Sequence, residues 1–320
     1  MRELDLRGLV PATLLPLTPD HQIDEPALRG YIRWLLGFDG LKALAVNMDT
    51  GEGPHLSRDE KRRVLEVYAD EVRERLPLLA GIGGPYTAAA VDMARDAERA
   101  GAQGTVVFPI PAFAGEPLPP EVPYEYHRAI AEATPLPMVL FQLQPALAGV
   151  LFSRETLLRL IEIPNVIAIK EASFDAVRFV QTRQILDEAP RRIQLLTGND
   201  NFIFESFVLG ADGALIGFGT IAIAEQAEMF GLLAAGDAEA ASRINEAVVK
   251  PLSGALFRAP VRNYRARLKE ALRQLGVIPN AIMRPPLLGL DDAERTTIRH
   301  ALHGITLRHR AQAPSPATPR

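Results

Sequence analysis

The stretch Val166-Ile167-Ala168-Ile169-Lys170-Glu171-Ala172 decides how the rest of the chain is read. Four apolar residues, three of them β-branched, run into a lysine. A short run of this kind reads as a strand buried on both faces. A lysine at its end is chemically unusual, because lysine is almost never fully buried unless it is paired or put to use. Desolvation there would lower its pKa from about 10.4 and make the amine a nucleophile near neutral pH. The plainer expectation is a lysine at the strand exit with its head in solvent or against a carboxylate.

On either side of this stretch, short apolar runs alternate with helical patterns. The runs are 9–17, 43–47, 78–82, 104–110, 137–143, 166–172, 193–197 and 214–218. Each is followed by a segment with helical spacing of its apolar residues, such as Leu28, Tyr31, Ile32, Leu35 and Leu36 after the first run. Ser57-Arg58-Asp59-Glu60 reads as a capping box opening the helix after the second run, and Ser153 as the cap of the helix after the fifth. Eight strand–helix pairs within about 235 residues predict a closed (β/α)8 barrel, the TIM-barrel architecture. An open doubly wound sheet is disfavoured, because Pro11-Ala12-Thr13 occupies the place of a glycine-rich phosphate turn. The expected division is a barrel over 1–236, a C-terminal helical region over 237–305 and a disordered tail over 306–320. The helical region carries periodic segments at 237–249, 261–275 and 291–302. The tail's arginines read as solvated.

Composition bounds the function. The 320 residues carry a net charge of −4, which points away from nucleic acid and acidic membranes. There is no cysteine, so disulfides, thiol catalysis and cysteine-based metal sites are excluded. No run of about 20 apolar residues could span a bilayer, and the first residues lack the apolar core of a signal peptide. The expectation is a cytoplasmic protein.

In such a barrel the reacting groups gather at the C-terminal ends of the strands. Lys170 then shares a mouth with Asn47-Met48-Asp49-Thr50-Gly51-Glu52-Gly53, Phe141-Gln142 and Gly198-Asn199-Asp200. A lysine facing a carboxylate, a hydroxyl and backbone amides suits covalent carbonyl chemistry, in which the amine attacks a ketone and the resulting iminium draws electrons from a neighbouring bond.

These residues resemble the dihydrodipicolinate synthase / N-acetylneuraminate lyase family of class I aldolases, over about residues 9–305. The resemblance is carried by Thr50-Gly51-Glu52, Ile169-Lys170-Glu171, Gly198-Asn199-Asp200 and the stretch from Leu268-Lys269-Glu270-Ala271-Leu272 to Arg284-Pro285-Pro286-Leu287. It implies a Schiff-base lysine at 170, no cofactor, a homodimer or homotetramer, and pyruvate or a longer 2-oxo acid as substrate. It also implies that Thr50, with Gly51 beside it, grips the substrate carboxylate.

The departures are specific. Phe141 stands where the family places a tyrosine that relays protons, and a phenyl ring has no proton to transfer. Asp49 stands where a hydroxyl residue joins that relay. Pro109-Ile110-Pro111 and Pro145-Ala146-Leu147 occupy the regions of a further aromatic relay residue and a substrate-gripping arginine. Asp49 is therefore the expected replacement acid/base. Asn47, Gln142 and Asn199 are candidates to read substrate hydroxyls if they point into the mouth, packing or capping being the other reading, with Phe141 lining the same pocket. Glu52 reads as structural. The reading is an aldolase or dehydratase; the alternative is a catalytically reduced barrel that binds a 2-oxo acid as a sensor or partner protein.

Overall fold

The structure is a computed structural model that describes residues 4–308. Eight strands form one parallel sheet: β1 (Leu9–Pro11), β2 (Leu44–Val46), β3 (Leu78–Ile82), β4 (Gly104–Val107), β5 (Met138–Leu143), β6 (Val166–Ala172), β7 (Gln194–Thr197) and β8 (Gly213–Ile216). Each strand pairs with its sequence neighbour, and β1 pairs with β8. Isolated parallel bridges, Leu9 to Leu41 and Ala12 to Ala45, join the seam between β1 and β2. The result is the expected (β/α)8 barrel.

Eight helices cover it: α1 (Glu25–Leu35), α2 (Arg58–Val72), α3 (Thr87–Arg99), α4 (Glu121–Ala133), α5 (Arg154–Leu160), α6 (Ala176–Asp187), α7 (Ile203–Val208) and α8 (Ile223–Ala234). Ser57 forms the capping box of α2: its hydroxyl accepts from Glu60 N at 3.2 Å, and Glu60 accepts from Ser57 N at 2.8 Å. Ser153 caps α5 by accepting from Thr156 N at 3.1 Å.

The alternation of side chains across each strand divides the core in two. Val139, Phe141 and Leu143 of β5, Ala168 and Ala172 of β6 and Leu196 of β7 belong to a cluster inside the barrel. Leu140, Ile169 and Leu195 point outward into the larger cluster beneath the helices. Lys170 lies between Ala168 and Ala172 and so faces inward, in register with Phe141 on one side and Leu196 on the other.

The first strand is shorter than its apolar run. It stops at Pro11, and Pro16 further on has no N–H for a ladder. Leu14, Leu15 and Leu17 are nevertheless buried in the outer cluster. Beyond the barrel come α9 (Ala238–Ile244), α10 (Lys250–Leu256), α11 (Tyr264–Gln274) and α12 (Asp292–His303). A π-helical turn over Asn245–Val249 joins α9 to α10, so the helical path outruns the expected end at 249. Pro251 follows directly, and widening the turn accommodates its missing N–H and its ring. Arg267, fully buried, ties α11 to α12 through two hydrogen bonds to Glu294 at 3.1 and 3.0 Å.

Arg308, in the expected tail and exposed, is also tied back to α8. Its amide donates to Glu225 Oε1 at 2.6 Å and its guanidinium pairs with Glu228 at 2.5 Å. Residues 309–320 of the expected tail lie outside the described residues. Among the described residues no helix is long and apolar enough to cross a membrane.

Candidate active site

Lys170 reaches the barrel mouth because Gly198 makes room for it. A Cβ on Gly198 would stand 2.8 Å from Lys170 Cε, which real side chains do not tolerate. The lysine is only 7% exposed, and its Nζ sits 4.2 Å above the centre of the Phe141 ring. Burial pushes its pKa down to about 8, against the opposing charges of Asp200 and then Asp49. Asp200, also buried, accepts from Phe218 N at 2.8 Å. Burial raises its pKa too, and hydrogen bonding and the Lys170 charge only partly offset this. Desolvation thus outweighs mutual attraction for both groups, and each is pushed toward its neutral form.

The opposite side of the mouth is built by the segment after β2. Asn47 has a left-handed backbone (φ 59°), which ends the strand, and a 3-10 turn over Asp49–Gly51 follows. Gly51 is required there, since a Cβ would lie 2.7 Å from Thr13 O. The turn delivers Asp49 to α11. Tyr264 donates its hydroxyl to Asp49 Oδ2 at 2.6 Å. Arg265 donates Nε to Asp49 O at 2.9 Å and pairs its guanidinium with the Asp49 carboxylate. The Tyr264 ring is fixed between Phe257, stacked at 5.1 Å, and the Arg265 guanidinium, 5.1 Å from the ring centre. Its hydroxyl also meets Thr50, and burial raises its pKa well above the ordinary tyrosine value, so it stays protonated. Thr50 is 4% exposed, and its Oγ1 packs over Gly217, 3.1 Å from where a Cβ there would sit.

Beneath this turn, Glu52 is buried in an ion pair with Lys269 of α11, and its other oxygen accepts from Arg284 N at 2.9 Å. Lys269 also donates to Ile282 O at 2.7 Å. Glu52 is therefore structural, as expected. A cavity of about 370 Å³ opens beside the site, with Asn47, Asp49, Arg265, Phe108 and Leu143 among its walls. Phe108 meets Phe141 edge-on with ring centres 5.0 Å apart, so the cavity wall is continuous with the ring beneath Lys170.

This arrangement has known counterparts. The sequence pattern of the dihydrodipicolinate synthetase family matches residues 5–305. The chain is 30% identical over 303 residues to a 4-hydroxy-tetrahydrodipicolinate synthase of Syntrophus aciditrophicus, covering 94% of this chain and 99% of the relative. It is 32% identical over 296 residues to the synthase of Moorella thermoacetica, covering 92% and 96%. Among solved structures, the chloride-inhibited dihydrodipicolinate synthase of Acinetobacter baumannii complexed with pyruvate superposes with a TM-score of 0.82 at 29% identity, covering 93% of this chain and 98% of that one. Dihydrodipicolinate synthase from Bacillus anthracis superposes with a TM-score of 0.84 at 26% identity, covering 95% and 100%.

The chain belongs to the dihydrodipicolinate synthetase family. The family is one of lyase-type enzymes, and its members support a Schiff-base, pyruvate-dependent reaction of the aldolase type. Against this family frame, the structure sorts the residues singled out in the sequence. Lys170, Phe141, Thr50, Gly51 and Asp49 converge on the mouth. Asn47 borders the cavity, with its Nδ2 donated to Lys61 O at 2.9 Å.

Gln142 and Asn199 are bonded within the protein instead of opening to the mouth, the packing side of their reading. Gln142 faces the helical layer by strand alternation, donates to Thr182 Oγ1 at 2.8 Å, accepts from Phe152 N at 3.3 Å and is fully buried. Asn199, fully buried as well, donates to Glu171 Oε2 at 2.7 Å and accepts from Phe174 N at 2.6 Å. Tyr264 and Arg265 were missed, because nothing in a helical pattern about 215 residues downstream of Asp49 marks them as its partners. Asp200 stood in a quoted motif, but its nearness to Lys170 depends on how β7 and β8 end.

Proposed function

We propose that the chain is a Schiff-base-forming lyase that acts on pyruvate or a longer 2-oxo acid, with Lys170 as nucleophile. One observation carries this reading: an inward lysine at the end of β6, 7% exposed, with its amine over the Phe141 ring and its basicity depressed by burial. A lysine so placed is neutral often enough near pH 8 to attack a carbonyl.

The neutral amine adds to C2 of the 2-oxo acid. The carbinolamine hydroxyl then leaves as water, and a protonated imine remains. In the direction of aldol cleavage, a base takes the C4 hydroxyl proton, the C3–C4 bond breaks to release C4 as an aldehyde, and its electron pair moves into the imine to give an enamine. Protonation at C3 and hydrolysis release pyruvate and free Lys170. Thr50, through its hydroxyl and its own amide, suits the substrate carboxylate. The Asp49 carboxylate with the Tyr264 hydroxyl is the group suited to the proton steps, since the Tyr264 hydroxyl lies against both Asp49 and Thr50. It supplies a hydroxyl to the site although Phe141 has none. That weakens the alternative of a reduced, non-catalytic barrel, which rested on Phe141.

The reading departs from the curated relatives in substrate. No arginine stands in Pro145-Ala146-Leu147, where the resemblance places the acceptor grip. We propose a homodimer or homotetramer; one similar solved structure is described as a monomeric dihydrodipicolinate synthase variant, so light scattering is the measurement that decides. The activity itself is tested by incubating the protein with pyruvate, reducing with borohydride and weighing it. A mass increase present in the wild type and lost in Lys170→Ala is expected. Absence of an adduct with pyruvate and with longer 2-oxo acids would end the lyase reading.

A further inference from the structure

Resting on the Schiff-base reading, we infer that the substrate is a 2-oxo acid whose arm beyond the reacting carbons is apolar, an alkyl or aromatic group rather than a polyhydroxylated chain. The inference comes from what the cavity beside Lys170 offers. Its walls include Phe108, Ile110, Leu143 and Leu147 from the ends of β4 and β5, with Pro54 and Pro85 from the loops after β2 and β3. Phe108 rests edge-on against Phe141, whose ring carries the Lys170 amine. Phe108 thus links the cavity wall to the buried ring on which the Lys170 amine rests. At about 370 Å³ the space falls within the usual size of small-molecule sites, roughly 300–1,000 Å³.

The polar groups nearby are largely committed. Asp49 is held by Tyr264 and Arg265, and Arg265 is spent on Asp49. Gln142 and Asn199, the amides that could have read hydroxyls, are turned away and bonded elsewhere. Three groups remain. Asn47 Oδ1 is buried without a partner. His55 borders the cavity as well. Lys61, on the α2 wall, is partly buried, its pKa is lowered by burial, and among the described residues no carboxylate pairs with it. All three lie on the β2 and α2 side of the cavity, so they serve acceptors or hydroxyls there, while the walls after β4 and β5 offer an arm no side-chain hydrogen-bonding partner. Each hydroxyl buried unpaired lowers affinity by roughly tenfold or more, whereas an alkyl or aryl arm loses nothing on these walls.

The test uses the full chain. Pyruvate trapping with borohydride is run first. Release of pyruvate is then followed from 4-hydroxy-2-oxo acids bearing a phenyl, a propyl or a dihydroxyethyl arm. The expected result is a Lys170 adduct together with kcat/KM at least tenfold higher for the phenyl or propyl arm. Leu147→Asn, on the partly exposed cavity rim, should shrink the phenyl-to-dihydroxyethyl ratio at least fivefold. That ratio does not depend on how much of the variant folds. An adduct accompanied by equal or better use of the dihydroxyethyl arm, by no turnover of either apolar arm, or by an unchanged ratio in Leu147→Asn overturns the inference alone. Absence of any adduct overturns the Schiff-base reading beneath it.

Discussion

The Tyr264 hydroxyl donates to Asp49 Oδ2 at 2.6 Å and so joins the start of the C-terminal helix α11 to the turn after β2. This contact brings a protonated hydroxyl and a carboxylate together at the barrel mouth beside Thr50. If the pair moves protons, removing either partner should lower kcat by about 10²-fold or more while the pyruvate adduct at Lys170 still forms. Asp49→Asn and Tyr264→Phe are the variants, and the double variant should cost little more than the worse single one, as for groups acting as a unit. Full turnover by Asp49→Asn would remove Asp49 from the proton steps.

The Lys170 amine sets a pH limb. Its pKa is pushed down to about 8 by burial, so the neutral nucleophile is the minority form below that pH. The rate of borohydride-trappable imine formation should fall about tenfold per pH unit below the limb. Asp200 opposes the depression, because its negative charge favours the ammonium. Asp200→Asn keeps an oxygen for Phe218 N and removes that charge, so the limb should move to lower pH. Because Lys170 and Asp200 interact, the limb belongs to the pair. A limb that stays in place or rises would show that Asp200 exerts no charge on Lys170.

Glu52 and Lys269 form a buried ion pair between the turn after β2 and α11. Lys269→Met leaves the Glu52 carboxylate buried and unpaired, at a cost of about 3–5 kcal/mol. Urea unfolding should show this loss, and adding Glu52→Leu should recover much of it. Lys269→Met should also slow turnover, because α11 carries Tyr264 and Arg265 to Asp49. An unchanged unfolding midpoint would mean that the pair is not buried in solution.

Gln142 gives the contrasting case. Its amide joins β5 to α6 through Thr182 and supports Phe152 N. Gln142→Ala leaves those groups unsatisfied, so stability should fall by about 1–3 kcal/mol. The kcat/KM of the folded fraction should stay within a few-fold of wild type. A selective loss of kcat/KM with stability intact would place Gln142 back at the substrate.

Strand and helix periodicity in the sequence determined the eight-fold alternation, a lysine at the end of β6 and the position of the Asp49-Thr50-Gly51 turn. These are local properties: a period of two or 3.6 residues, a capping serine, a charged residue closing an apolar run. Composition and the quoted motifs also led to the family. Which way Gln142 and Asn199 point was not legible in the same way. Gln142 is adjacent to Phe141, and a one-residue step along a strand moves a side chain from the barrel interior to the helical layer. Only strand register settles such a step. Tyr264, Arg265 and Lys269 look like an ordinary amphipathic helix until α11 docks on the mouth. Tertiary structure alone decided that Asp49 answers to them, that Asp200 stands near Lys170, and that burial lowers the basicity of that lysine. Contacts across hundreds of residues and the loss of solvent are properties of the packed barrel, and no local pattern encodes them.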